Sequence, residues 1–214
     1  MSAARVSIAA PATKAEIAEV APLLARAFLD DPVWSHVGPR RRSYRRWAGR
    51  VAFWGIVRAS ARNRARIRVA RAEPGGPAVG ATIAFEPEAW PPPERAVIWQ
   101  FPWAGLAGPL PVFRGLRADG AIRAAHVTYP HLYLWYIGVE PGLQGGGVGR
   151  ALMADLNARA DSLGVPAYLE TATRPNLRFY ESLGYEVVGE LTVPAYGPRL
   201  WRVERRPAAG PGGA

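Results

Sequence analysis

The chain has 214 residues, 49% of them hydrophobic and 21% charged, enough apolar content for one sizeable α/β domain and unlike a disordered segment. Its formal net charge is +10, carried almost wholly by arginine, with Lys14 the one lysine. It has no cysteine, which excludes disulfides, thiolate metal sites and a cysteine nucleophile, and no stretch reads as a signal peptide or a spanning apolar run, so cytoplasm is the expected compartment.

Arginine bonds phosphate and carboxylate bidentately through its planar fork. Nucleic acid, an anionic membrane or a polyanionic cofactor would each suit such a charge. A general Arg-, Ala-, Gly- and Pro-rich composition accounts for it equally well, so the charge alone selects none of them.

Val6-Ser7-Ile8 reads as a short strand. Thr13-Lys14-Ala15-Glu16 is a capping box that opens a helix, with Ile17, Val20, Leu23, Leu24, Ala27 and Phe28 at helical spacing and an end near Asp30-Asp31-Pro32. A second helix is expected from Pro39 toward Ala61, with Trp47, Val51, Trp54 and Val57 as its apolar stripe. Arg41, Arg42, Arg45, Arg46 and Arg50 cluster there; no recognition motif accompanies them, so a solvated face is the plainer reading. Ile67-Arg68-Val69-Ala70 and 79–85 read as antiparallel strands around the turn Glu73-Pro74-Gly75-Gly76-Pro77. Residues 86–126 read as an insert, with a stiff Pro-rich connection and then two helices broken around Pro109 and Pro111.

The second half is sharply punctuated. Residues 132–139 form a strand with β-formers on both faces, hence a central one. A Gly-rich turn at 141–147 follows, then a helix over 148–163 stopped by Gly164. Ala167-Tyr168-Leu169-Glu170 is the next strand, 176–183 a short helix stopped by Gly184, and 185–191 and 200–204 are closing strands. Strand, turn, helix, strand is a βαβ unit, so strands 132–139 and 167–170 should be parallel. Residues 1–206 are expected to form a single domain, with 207–214 a flexible tail.

Gln144-Gly145-Gly146-Gly147-Val148-Gly149-Arg150 stands between a strand and a helix. Glycines there let backbone approach closely, and the first helical amides are unpaired donors. This is a cradle for an anion such as a diphosphate. The Gly-Lys-Ser/Thr of a P-loop is absent, and the spacing is not the G-x-G-x-x-G of a dinucleotide fold. The alternative is a merely tight strand–helix turn.

The stretch from Val139 through Arg150 resembles the acetyl-CoA pyrophosphate loop of GNAT acetyltransferases. The resemblance continues through Val165-Pro166-Ala167-Tyr168-Leu169-Glu170-Thr171, Asn176 and Phe179-Tyr180-Glu181-Ser182-Leu183-Gly184-Tyr185. The closing Val193-Pro194 and Gly197-Pro198-Arg199-Leu200-Trp201 are similar to the puromycin N-acetyltransferase branch, as are Ala27-Phe28, Asp31-Pro32 and His36. It covers 132–204 well, 5–40 thinly and 86–126 not at all. Gly146 departs from it, standing where the family often has Lys or Arg.

The resemblance implies the GNAT fold: a mixed, mostly antiparallel sheet with a central parallel pair splayed around acetyl-CoA. It implies that backbone groups of Ile137 and Val139 meet the pantetheine and acetyl group. Gln144, Gly145, Gly146, Gly147, Val148, Gly149 and Arg150 would hold the pyrophosphate. Asn176 would touch the cofactor arm, and Tyr180 would protonate the leaving thiolate. Acetyl-CoA would be the co-substrate, a small-molecule amine the acceptor, and no metal would be needed. A homodimer is compatible with this reading.

Glu170 ends the second parallel strand, where ligands of open α/β sheets sit, and could hold an ammonium or take its proton. An ion pair with one of the many arginines is the alternative. His36 is placed in the loop between the first two helices, on the acceptor side; His131 is a weaker candidate, and the scattered histidines lack the spacing of a metal site. Rival functions are acetylation of a protein N-terminus or lysine, a CoA-binding regulatory module without turnover, and, last, a nucleic-acid surface.

Overall fold

The capping box forms as its sequence requires: Glu16 N donates to Thr13 Oγ1 at 3.2 Å, and Thr13 N donates to the Glu16 carboxylate at 2.9 Å. The computed structural model describes residues 6–87, 89 and 109–208. Strand β1 (Ser7–Ala9) precedes that box and helix α1 (Lys14–Ala27) follows it. A short helix α2 (Pro32–Val37) comes next, then the long α3 (Arg42–Arg62) and the hairpin β2 (Arg66–Arg71) and β3 (Ala78–Phe85). Helix α4 (Pro109–Ala125) leads to β4 (Leu132–Val139), α5 (Val148–Leu163), β5 (Ala167–Thr171), α6 (Arg174–Glu181), β6 (Glu186–Thr192) and β7 (Arg199–Arg205).

The strands make one sheet in the order β1-β2-β3-β4-β5-β7-β6. Only β4 and β5 run parallel, with α5 as their crossover, as the βαβ punctuation predicts. Helices α1 and α3 cover one core, built on Leu23, Leu24, Phe53, Ile56 and Ile83. The other core, under α5 and α6, holds Met153, Leu156, Leu177, Tyr180, Trp201 and Val203.

Two expectations change in the first half. The predicted stripe of α3 matches its buried face only in part: Val57 is buried, but Trp47 and Trp54 are 42% and 49% exposed, and Ala48, Ala52, Phe53 and Ile56 make up the rest of the buried face. Ala48 and Ala52 let α3 lie close on its neighbours, and the two tryptophans turn outward. The segment after α1 is also no loop. Asp31 caps α2, its carboxylate accepting from Trp34 N at 2.9 Å, with Pro32 at the first helical position.

Within 86–126, Pro109 and Pro111 open α4 rather than break it, because the first turn needs no amide donor. The other helix expected there falls on 94–108, outside the described residues. Pro207 and Ala208 are described, with Ala208 N donating to Asp161 at 2.8 Å; the rest of the expected tail, 209–214, also lies outside them. Among the described residues no helix is long and apolar enough to cross a membrane.

Gly138 of β4 sits directly under α1. A Cβ there would stand 2.7 Å from Leu24 Cδ2 and 3.0 Å from Ala27 Cβ. Gly138→Val is expected to destabilise the fold by about 1–3 kcal/mol through overpacking, read as a lowered Tm. An unchanged Tm would contradict this packing of α1 on β4.

Candidate functional site

The site begins where β4 and β5 part. Their parallel pairing holds at Leu132↔Ala167 and Tyr133↔Tyr168 and is then lost, although both strands continue. In its pairing with β3, β4 carries one extra residue at Trp135, between Leu134↔Ala84 and Tyr136↔Ile83. Such a bulge bends a strand and raises its local twist, here at the point of divergence.

The opening gap exposes backbone on its β4 side. Glu140 N donates to Val79 O at 2.9 Å, so residue 140 faces β3. Antiparallel pairs alternate in direction, so Val139 and Ile137 aim their N–H and C=O groups into the gap. In keeping with this, Gln144 Nε2 donates to Val139 O at 3.4 Å. A cavity of about 960 Å³ fills the gap, lined by 134–139 on one wall and 169–173 on the other.

One end of the cavity is the Gly-rich loop. Gly145 and Gly147 take φ values of 81° and 92°, the left-handed region that disfavours side chains. Gly147 is the N-cap of α5, and no side chain caps the helix. The first intrahelical bond found there runs from Ala151 N to Gly147 O, at 3.0 Å. The amides of Val148, Gly149 and Arg150 are thus donors at the positive end of a sixteen-residue helix. Gln144, Gly145, Gly147, Gly149 and Arg150 line the cavity. Gly146 and Val148 do not; the Val148 side chain packs inward against Val79 and Leu152. This set of free amides suits a diphosphate, and the gap beyond suits an extended arm reaching toward Val139.

Asn176 and Tyr180 line the same cavity from α6, which Thr173 caps by accepting from Asn176 N at 3.3 Å. Tyr180 is 5% exposed, its ring between Phe179 and Tyr185. Burial holds its phenol well above the usual range, so it stays protonated.

The far end is acidic. Asp31, Asp119 and Glu170 line it, between α2 and α4. Burial raises the Asp31 carboxyl above its usual range, although its bonds to the backbone amides of Trp34 and Val33 oppose this. Asp119 is paired with Arg123 at 2.7 Å. Among the described residues no arginine pairs with Glu170: it accepts from Tyr133 OH at 2.8 Å and faces His126 Nδ1 at 3.5 Å. Burial first, then the Glu170 charge, push the Tyr133 phenol well up.

His36 is not among the lining residues. It lies on α2, with Nε2 3.2 Å from Pro194 O. His131 is buried behind Glu170, next to His126. No group of three or more His, Cys, Asp or Glu among the described residues could hold a metal. Tyr133, His126, Asp31 and Asp119 were not singled out from sequence. The β4–β5 register sets Tyr133 beside Tyr168, which shares a face of β5 with Glu170 two residues on; His126 closes the stretch where no motif is legible.

Residues 114–187 match the family model described as Acetyltransferase (GNAT) domain. A Corynebacterium glutamicum structure described as histone acetyltransferase HPA2 and related acetyltransferase superposes with a TM-score of 0.70 at 23% identity, over 96% of this chain and 98% of that one. This is the GNAT fold.

The GNAT fold is shared with the polyamine N acetyltransferase of Drosophila melanogaster, at a TM-score of 0.55 and 17% identity, covering 94% of this chain and all of that one (100%). A mycothiol acetyltransferase from Thermomonospora curvata is 35% identical over 116 residues, 50% of this chain. The chain spans 37% of the length of that curated relative. The GNAT domain match includes the Gly-rich loop, Glu170 and Tyr180.

Proposed function

We propose that this chain transfers the acetyl group of acetyl-CoA to the amine of a small molecule, by direct attack in a ternary complex. One observation carries the reading: the splayed β4–β5 gap joins a free-amide cradle at one end to a buried carboxylate at the other. Gln144, Gly145, Gly147, Gly149, Arg150 and the first amides of α5 hold the pyrophosphate, with Gly146 and Val148 contributing backbone only. Ile137, Val139 and Asn176 hold the pantetheine arm. Acetyl-CoA supplies an activated acyl carbon in its thioester.

The Val139 amide points into the gap and steadies the negative charge that develops on the carbonyl oxygen. Glu170 takes a proton from the ammonium, freeing the nitrogen lone pair. The nitrogen–carbon bond forms as the carbon–sulfur bond breaks. Tyr180 gives its proton to sulfur and is restored by the second amine proton. Two protons leave nitrogen; one ends on the thiol and one reaches solvent.

The walls from α2 and α4 favour a small acceptor over a protein tail, and the Glu170 carboxylate favours a cation. The polyamine and mycothiol acetyltransferases among the similar proteins are named for small-molecule acceptors. An antibiotic or related metabolite is the acceptor class we favour, from the likeness of Val193-Pro194 and Gly197-Pro198-Arg199-Leu200-Trp201 to the puromycin N-acetyltransferase branch.

Glu170→Gln tests the acceptor side. The amide can still accept from Tyr133 but cannot take a proton. Turnover of an amine identified by thiol release should fall on the order of 10²-fold, and the acidic limb of the pH–rate profile should flatten, with acetyl-CoA affinity unchanged. Wild-type turnover in this variant would remove Glu170 from the reaction.

A further inference from the structure

Glu170 is one end of a buried chain of groups. Its Oε2 accepts from Tyr133 OH at 2.8 Å, and its Oε1 faces His126 Nδ1 at 3.5 Å. Behind it, His126 Nε2 meets His131 Nε2 at 3.0 Å, and His131 Nδ1 lies 2.7 Å from Tyr129 O. Tyr133 and Glu170 line the cavity, whereas the two histidines stand behind them. The His126 and Glu170 side chains are 6% and 7% exposed.

Valence places the protons along this chain. A carbonyl oxygen can only accept, so His131 Nδ1 carries a hydrogen. Burial pushes the His131 imidazole toward its neutral form, which leaves Nε2 an acceptor. His126 Nε2 must then donate to it. In neutral His126 the lone pair sits on Nδ1 and faces a carboxylate oxygen. Two acceptors confront each other, and one added proton turns that contact into a hydrogen-bonded pair.

We propose that Glu170 and His126 act as a single proton acceptor, with His126 the positioning residue that makes Glu170 the base for the incoming amine. This rests on the acetyl-transfer reading of the site. The ammonium N–H bond breaks, and its electron pair stays on nitrogen for attack on the thioester carbon. The proton passes to the Glu170 carboxyl, is held against His126 Nδ1, and leaves for solvent after turnover.

Among the described residues, the surrounding groups do not compete for that proton. From β4, Tyr133 and Tyr136 face the pair or its neighbours, and from β5, Tyr168; burial raises all three, so they remain phenols. From β7, Arg202 is the register partner of Glu170 and donates to Ala125 O, one residue before His126. Glu204, also on β7, accepts from Tyr129, whose phenol is pushed up to about 12, by burial first and then by that bond. Asp119 of α4 is held by Arg123.

The chain has three histidines, which makes their ring nitrogens assignable by ¹⁵N NMR of the wild-type protein. His131 should appear with hydrogen on Nδ1, and His126 with hydrogen on Nε2, above the acidic limb of activity. The His126 Nδ1 signal should leave its lone-pair position over the same pH interval as that limb. Hydrogen on His126 Nδ1 throughout the active range would overturn the proposal. His126→Gln should move the acidic limb of kcat/KM down by about one pH unit and lower kcat by roughly tenfold or more, with acetyl-CoA KM unchanged. A fall in Tm and kcat with the limb in place marks a merely structural role and overturns it too. Absence of turnover with every amine would defeat the acetyl-transfer reading itself, while the tautomer measurement, which needs no turnover, still decides the pairing.

Discussion

Gly147→Glu should abolish measurable acetyl-CoA binding while leaving the folded core in place. The residue caps α5 at φ 92°, beside amides that have no side-chain partner. A glutamate there adds bulk where phosphate must approach and a negative charge where the helix end favours an anion. Charge and bulk act together, so the loss should exceed the roughly 0.3–1 kcal/mol of a helix-end interaction alone. Gly147→Ala separates the causes: it strains the left-handed backbone but adds no charge, and should weaken binding less. Calorimetry with CoA reads both variants. Unchanged affinity in Gly147→Glu would remove the loop from the site.

Tyr180→Phe should leave stability and acetyl-CoA affinity nearly unchanged while turnover falls on the order of 10²–10⁴-fold. The ring packs with Phe179 and Tyr185, and those contacts survive the change. Only the hydroxyl is lost. Burial holds this phenol protonated, so it enters the reaction loaded; its transfer to the thiolate is uphill and is coupled to the amine proton that restores the phenol. Steady-state kinetics with chemistry shown to be rate-limiting decides it. Wild-type turnover would leave Tyr180 as a packed aromatic.

The legible parts of the sequence were those where backbone conformation depends on particular residues. Helix α5 begins and ends between Gly147 and Gly164, both left-handed, and its range is read directly from them. The β4 strand, its loop and the parallel partner followed from the same punctuation. The face of α3 is legible only at Val57, because counting large apolar residues also picks out Trp47 and Trp54, whereas close helix packing selects Ala48 and Ala52. In sequence Asp31-Pro32 reads as the end of one helix; in the fold the same pair also starts the next. Glu170 was found from its strand end, but its partners were not, since His126 and Tyr133 meet it only through the fold.

On the proposed reading this cavity joins an acetyl donor to an amine. The most direct test is thiol release from acetyl-CoA by the purified chain, against a panel of small amines, polyamines and amine-bearing antibiotics, with an acetylated peptide control. Amine-dependent release, an N-acetylated product of matching mass, and loss of both in Tyr180→Phe are expected. CoA binding without release for any amine would contradict that reading and leave a binding module in its place.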